Sequence, residues 1–300
     1  MRSDSRMSLV LRRLARPSWL CLVLLALPRL APAQAIPGVQ DGWVTTSDLH
    51  RLHYLTAGSG PTIVFVPGWT MPAEIWEPQL RHFMKDYHVV ALDPRSQGRS
   101  DHTSDGNNVE RRAQDIHELL QQLGGASVLV GWSLAAIEAL QMTDTYGTAN
   151  VRGLVLVDGQ ISVDSDSATQ AYLSRFLMRV LIDRKAFTAQ FVKGMFKTPQ
   201  TQGYLDRLTK AALTTPTGAA HDLINNAYGS GPRDWRPALS RVDRPVLFIG
   251  GAGSAPGADA VRAILPSAQT VTFDQAGHAM FVDEPDHFNQ VLEAFITGLK

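Results

Sequence analysis

The segment Val128-Leu129-Val130-Gly131-Trp132-Ser133-Leu134-Ala135 constrains the fold more than any other. Residues 128–130 have the apolar, β-branched character of a buried strand, and a helical run begins at Leu134 and extends to about Tyr146. A strand that passes into a helix over so few residues forces the residue at the bend, Ser133, out of the ordinary backbone conformations. Small residues on either side relieve the crowding. Gly131 supplies one, and Ala135 stands where the G-x-S-x-G form of this turn has its second glycine. The hydroxyl at the bend stands clear of the sheet, and the helix N-terminus behind it favours developing negative charge. Ser133 is therefore a candidate nucleophile. The competing reading is an ordinary serine at a helix N-cap.

Around this segment short apolar runs alternate with longer amphipathic ones, the pattern of an α/β protein with a mostly parallel sheet flanked by helices. Strands are expected at 63–66, 88–92, 128–130, 154–157, 246–249 and 270–273. Helices are expected at 109–123, where Ile116, Leu119, Leu120 and Leu123 share a face, at 134–146, and at 285–299. The stretch 159–235 breaks the alternation. It shows helical segments near 168–182, 186–196, 201–213 and 218–228, divided by Pro199, Pro216 and Gly229-Ser230-Gly231-Pro232. The chain thus divides into a first core part, 36–158, a helical cap insertion, 159–235, and a second core part, 236–300. On the cap, Phe176, Met178, Phe187, Phe191, Met195 and Phe196 are expected mainly to pack together, with some facing a cleft.

Residues 1–35 have a different character. Arg12, Arg13 and Arg16 precede an unbroken apolar run from Trp19 to Leu27; Pro28 ends it, and Ala33-Gln34-Ala35 supplies small residues at signal-peptidase spacing. The run is shorter than the roughly 20 residues a bilayer span requires. A signal peptide cleaved after Ala35 (or Ala33) is expected, with export to a periplasm or the exterior and no stable membrane insertion afterwards; an uncleaved anchor is the alternative. This segment holds six of the 28 basic residues and one of the 28 acidic ones, so the remainder carries a formal excess of five negative charges. That argues against nucleic acid as a partner. Cys21, the one cysteine, lies in the leader, which leaves the mature chain without a disulfide or a cysteine metal site. There is no His-Glu-x-x-His or similar ligand cluster, and Gly250-Gly251-Ala252-Gly253 lacks the lysine of a phosphate loop. No metal or cofactor is expected.

His278 lies in Ala276-Gly277-His278-Ala279-Met280-Phe281, after the last expected strand and before the last helix. From there an imidazole can reach back across the C-terminal edge of the sheet to Ser133, to take a proton and return it. Pro67-Gly68-Trp69 after a strand, Asp93-Pro94-Arg95-Ser96-Gln97-Gly98-Arg99-Ser100, Gly131-Trp132-Ser133-Leu134-Ala135 and Gly277-His278, in that order, resemble the α/β-hydrolase superfamily. The run from Pro67 to Glu77 is similar to its small esterases and cofactor-free haloperoxidase-type hydrolases. The resemblance extends from about Val44 to the end, apart from the insertion. It implies cleavage of a small-molecule carboxylic ester through an acyl-enzyme at Ser133, with His278 as base. It also implies an oxyanion hole made by the backbone N–H groups of Trp69 and Leu134. Asp93 and Arg95 are expected to organise their turn rather than to react. Pro67 replaces a histidine common among relatives, and Thr70 stands where perhydrolysing relatives carry proline, which argues against peracid formation. A serine at 133 also excludes the aspartate-nucleophile chemistry that dehalogenases and epoxide hydrolases run on this fold.

The acid that should orient the histidine departs from the pattern. Three residues beyond the glycine after the penultimate strand stands Ser254, which cannot serve. Two candidates remain. Asp158 directly follows 154–157, where certain lipases and haloalkane dehalogenases place the acid. Asp259 sits in a Gly/Ala-rich stretch expected to be a loop able to bend inward. Both stay open, as does a site without an acid. Hydrolysis of a lactone, amide or carbon–carbon bond, or a non-catalytic binding module of the same fold, are the competing functions.

Overall fold

The computed structural model of the protein describes residues 36–162, 166–229 and 233–299. The expected leader, 1–35, lies outside the described residues, as do 230–232 of the expected break.

The described chain opens with β1 (Gln40–Thr45) and β2 (Arg51–Ala57), paired antiparallel. There follow β3 (Thr62–Val66), α1 (Glu77–Phe83), β4 (His88–Leu92), α2 (Val109–Leu123), β5 (Ser127–Trp132), α3 (Leu134–Tyr146) and β6 (Val151–Val157). Between β6 and the next strand lie α4 (Ser167–Ile182), α5 (Arg184–Gly194), α6 (Gln202–Ala212), α7 (Thr217–Ile224), a π-helical turn (Asn225–Gly229) and α8 (Arg236–Ser240). The chain then completes the sheet with β7 (Val246–Gly250), α9 (Ala255–Ile264) and β8 (Gln269–Thr272), and ends in α10 (Met280–Asp283) and α11 (Pro285–Thr297).

The eight strands form one sheet in the order β1-β2-β4-β3-β5-β6-β7-β8, parallel from β4 onward. Its central strands read as continuous apolar runs because both faces are covered, and the two-residue period of a strand divides them between two cores. Val64, Val66, Val90, Leu129, Leu154 and Leu156 pack with α2 and α3 on one face. Ile63, Phe65, Val89, Val130, Val155 and Val157 pack with α1 and α11 on the other. β5 and β3 lie at the centre, so Ser133 emerges from the most completely buried part of the sheet.

The first hairpin and the stretch around Asp259 both differ from expectation. The β1–β2 hairpin was not foreseen, because in Gln40–Thr45 only Val44 is buried and the segment lacks the apolar run of a central strand. The stretch around Asp259 is a helix, not a loop. Ala258 and Val261 are buried three residues apart, and that spacing outweighs the local glycine and alanine content.

Candidate active site

Ser133 sits between β5 and α3 with φ 58° and ψ −119°. For a residue with a Cβ this conformation costs on the order of 1–3 kcal/mol and persists only where the surroundings impose it. The restraints are visible. Ser133 N–H donates to the Val157 carbonyl at 2.8 Å, fastening the bend to the neighbouring strand. A Cβ on Gly131 would lie 2.5 Å from the carbonyl oxygen of Ala135, so glycine is required at that position. Ala135 itself is fully buried, and its methyl is accommodated in the core that α3 shares with α2. On the opposite side the Pro67-Gly68-Trp69 turn presses against the serine: a Cβ on Gly68 would stand 2.8 Å from that of Ser133.

Asp158 lies one residue beyond β6, in a left-handed conformation of its own (φ 47°), with its N–H donating to the Ile249 carbonyl at 2.7 Å. Its carboxylate Oδ2 is 2.7 Å from His278 Nδ1. Oδ1 accepts from the Gly251 N–H at 3.2 Å and from the Ser254 hydroxyl. Burial pushes this carboxyl up, but the hydrogen bond and charge of His278, with the Ser254 and Gly251 donors, outweigh it and hold it below the ordinary aspartate value. Ser254, three residues beyond Gly251, thus donates to a carboxylate that follows the neighbouring strand β6. Asp259 faces solvent from α9 and pairs with Arg262 on the same helix.

The loop carrying His278 is fastened at several points. Its carbonyl accepts from Trp132 Nε1 at 2.8 Å, and the Trp132 ring lies 5.1 Å from the imidazole. Asp283 accepts from the Gly277 N–H and the Lys197 N–H, both at 2.8 Å, and Ala279 N–H donates to the Met195 carbonyl at 3.0 Å. The segment that follows α5 therefore locks the histidine loop.

Ser133, His278 and Asp158 open onto one cavity of about 350 Å³, with Trp69 and Leu134 also on its wall. The remaining lining is mainly aromatic and aliphatic, contributed by Tyr172, Leu173, Phe176, Phe191, Ile224 and Tyr228. Apart from the Asp158–His278 pair, no charged side chain lines it. Trp69 is pinned by a 2.7 Å hydrogen bond from its indole N–H to the Ala220 carbonyl and packs against Phe176, Phe191 and Phe187. Of the expected roofing residues, Phe176 and Phe191 reach the cavity, Phe187 and Met195 are buried packing, and Met178 is exposed. Tyr228, on the π-helical turn, was not anticipated; burial and the nearby Glu138 push its phenol upward, leaving a neutral hydroxyl. Asp93 holds its turn as expected, whereas the Arg95 side chain reaches out of the turn, to α2 and to the connection between β1 and β2. Asp93 accepts from the Ala73 and Arg99 N–H groups and meets His53 Nδ1, and Arg95 pairs with Asp115 and Asp48.

Residues 63–291 match the Alpha/beta hydrolase family, well over half of the chain. The chain belongs to that family. It is 27% identical to a non-heme chloroperoxidase of Streptomyces lividans over 86% of this chain and all of the relative. It is 28% identical to a pimeloyl-(acyl-carrier protein) methyl ester esterase of Vibrio atlanticus, over 81% of this chain and 97% of that protein. Among solved structures, an esterase from Exiguobacterium antarcticum superposes with a TM-score of 0.79 at 20% identity, covering 85% of this chain and 99% of its own. At that identity the likeness shows the fold. Among the described residues no group of three or more His, Cys, Asp or Glu side chains is arranged to hold a metal, and no helix is long and apolar enough to cross a membrane.

Proposed function

We propose that this α/β hydrolase cleaves small, uncharged carboxylic esters through an acyl-enzyme at Ser133. In the first half-reaction the Ser133 hydroxyl oxygen bonds to the ester carbonyl carbon while its proton passes to His278 Nε2. The carbonyl oxygen becomes anionic and is held by the backbone N–H groups of Trp69 and Leu134. The bond to the alkoxy group then breaks, and that group leaves as an alcohol with the proton returned by His278. Water repeats the sequence in reverse roles and releases the carboxylic acid. Asp158 keeps the proton of the resting imidazole on Nδ1, so that Nε2 presents a lone pair, and stabilises the imidazolium that forms.

The observation that carries this reading is the 2.7 Å contact between Asp158 and His278 Nδ1 at the wall of the cavity that Ser133 also lines. The largely apolar lining supports an uncharged substrate. Relatives named as esterases support the ester bond as the target.

Labelling with a fluorophosphonate tests the nucleophile. Wild type is expected to be modified at Ser133, and Ser133→Ala to lose both labelling and turnover while its melting temperature stays nearly unchanged. Turnover by the alanine variant within tenfold of wild type would remove Ser133 from the mechanism. Export with removal of residues 1–35 belongs to the same proposal and rests on the basic flank, apolar run and Ala33-Gln34-Ala35 site. N-terminal sequencing of the protein made in its native host should begin at Ile36; a sequence beginning at Met1 would contradict it.

A further inference from the structure

Gln97 is completely buried and does not line the cavity, so the mechanism above makes no use of it. Its carboxamide nevertheless has every hydrogen-bonding position filled. Oε1 accepts from the Thr70 N–H at 3.0 Å and from Arg112 Nη1 at 2.8 Å. Nε2 donates to the Gly68 carbonyl at 3.0 Å and to the Met71 carbonyl at 2.9 Å. A primary amide offers two acceptor and two donor positions, and all four are taken. Turning the group over would set donors against donors and carbonyls against a carbonyl, so its orientation is dictated.

Three of these four partners are backbone groups of residues 68, 70 and 71, which bracket Trp69. That turn needs holding. Thr70 is β-branched, yet its φ is 60°, and its hydroxyl is buried without a partner. The fourth partner leads to the other side of the site. Arg112 Nε lies 3.0 Å from Glu138 Oε1, both side chains being buried. Glu138 is four residues beyond Leu134 on α3, one helical turn away. A continuous buried polar chain therefore runs from the turn bearing Trp69, through Gln97, Arg112 and Glu138, to the helix whose first residue is Leu134.

We propose that Gln97 is a positioning residue that sets the Trp69 N–H against the Leu134 N–H, with Arg112 and Glu138 as its anchor on α3. The proposal rests on the ester-hydrolase reading above, in which those two groups hold the oxyanion. Donors act in catalysis through their fixed positions. A loosened turn should therefore weaken binding of the tetrahedral state while leaving binding of the flat substrate nearly unchanged.

The test compares wild type with Gln97→Met, which fills a similar volume without hydrogen-bonding, and Gln97→Glu, which keeps the shape and loses both donors to Gly68 and Met71. Each full-length protein is assayed for kcat and KM on p-nitrophenyl butyrate. Inhibition is measured with an alkyl trifluoromethyl ketone, whose adduct with serine carries an oxyanion, and with butyrate, which does not form one. The expected result for both variants is a 30–100-fold fall in kcat with KM within threefold. Affinity for the ketone should fall by the same factor as kcat/KM, and that for butyrate should stay within threefold. The proposal is overturned if either folded variant keeps kcat within threefold of wild type, or if kcat falls while ketone affinity holds. It is equally overturned if KM and butyrate binding worsen in step with kcat. If the methionine variant does not fold, the glutamate variant, with Arg112 beside it, decides alone. Failure of wild type itself to react with a fluorophosphonate sinks the hydrolase reading and this proposal together, whereas labelled wild type with an indifferent Gln97 sinks only the latter.

Discussion

Replacing Asp158 by asparagine tests the arrangement of the site with almost no change of shape. The asparagine oxygen can still accept from the Gly251 N–H and the Ser254 hydroxyl, which leaves the amide NH2 facing His278 Nδ1 across the 2.7 Å contact. Two donors cannot share that space, so the imidazole must turn Nδ1 into an acceptor and carry its proton on Nε2. It then has no lone pair to offer Ser133. In triads of this kind the wrong tautomer costs about 10⁴-fold in kcat, equivalent to roughly 5.5 kcal/mol at about 1.36 kcal/mol per tenfold. KM should stay within about threefold, because Asp158 acts through the histidine. Asp259→Asn is the matched control: its exposed pair with Arg262 is worth at most about 1 kcal/mol, none of it at the site. Steady-state hydrolysis of a p-nitrophenyl ester at pH 7.5 measures both. If Asp158→Asn kept more than a tenth of wild-type kcat, or if Asp259→Asn lost as much, the reasoning would be refuted. The same substitution has a stability signature. The folded chain binds a proton at Asp158 less readily than the unfolded chain, so the carboxylate adds stability above about pH 3.8. That addition disappears as the pH falls through the lowered folded value.

Ser133→Gly should abolish turnover while raising the melting temperature by about 2–4 °C, because glycine takes φ 58° and ψ −119° without the strain, worth at least ~1 kcal/mol, that serine bears. A calorimetric midpoint at or below that of wild type would show that the bend is not strained. Burial pushes Glu138 up to about 7 against the pull of Arg112, with Asp115 adding to the rise. The folded state therefore holds that proton more tightly than the unfolded state. Its contribution is fully present below about pH 4.5 and is lost as the pH rises through about 7. Glu138→Gln does not titrate, so the stability gap between variant and wild type should move in the variant's favour by on the order of 3 kcal/mol between pH 4.5 and pH 8. Urea unfolding at pH 5, 6.5 and 8 measures this, and a gap independent of pH would exclude it.

What could be read from the chain alone was whatever is written locally. The apolar runs at 63–66, 88–92, 154–157 and 246–249 correspond to β3, β4, β6 and β7, because strands buried on both faces must be continuously apolar. The bend at Ser133 was legible because a strand, a glycine and a helix follow one another without a gap. The β1–β2 hairpin was not legible, since it is a partly exposed edge with little apolar signal. The relations that complete the site lie furthest from local pattern. Ser254 and Asp158 are 96 residues apart, and the hydroxyl looks like a missing acid until the two meet in space. Gln97 is harder still. In the sequence it is a polar residue in a glycine-flanked turn, and its partners lie 15 to 29 residues away, three of them backbone groups that leave no trace in composition. Here, apolar periodicity announced the sheet, while polar side chains such as Gln97 and Asp158, which bond without regard to chain order, tie together segments far apart in the chain.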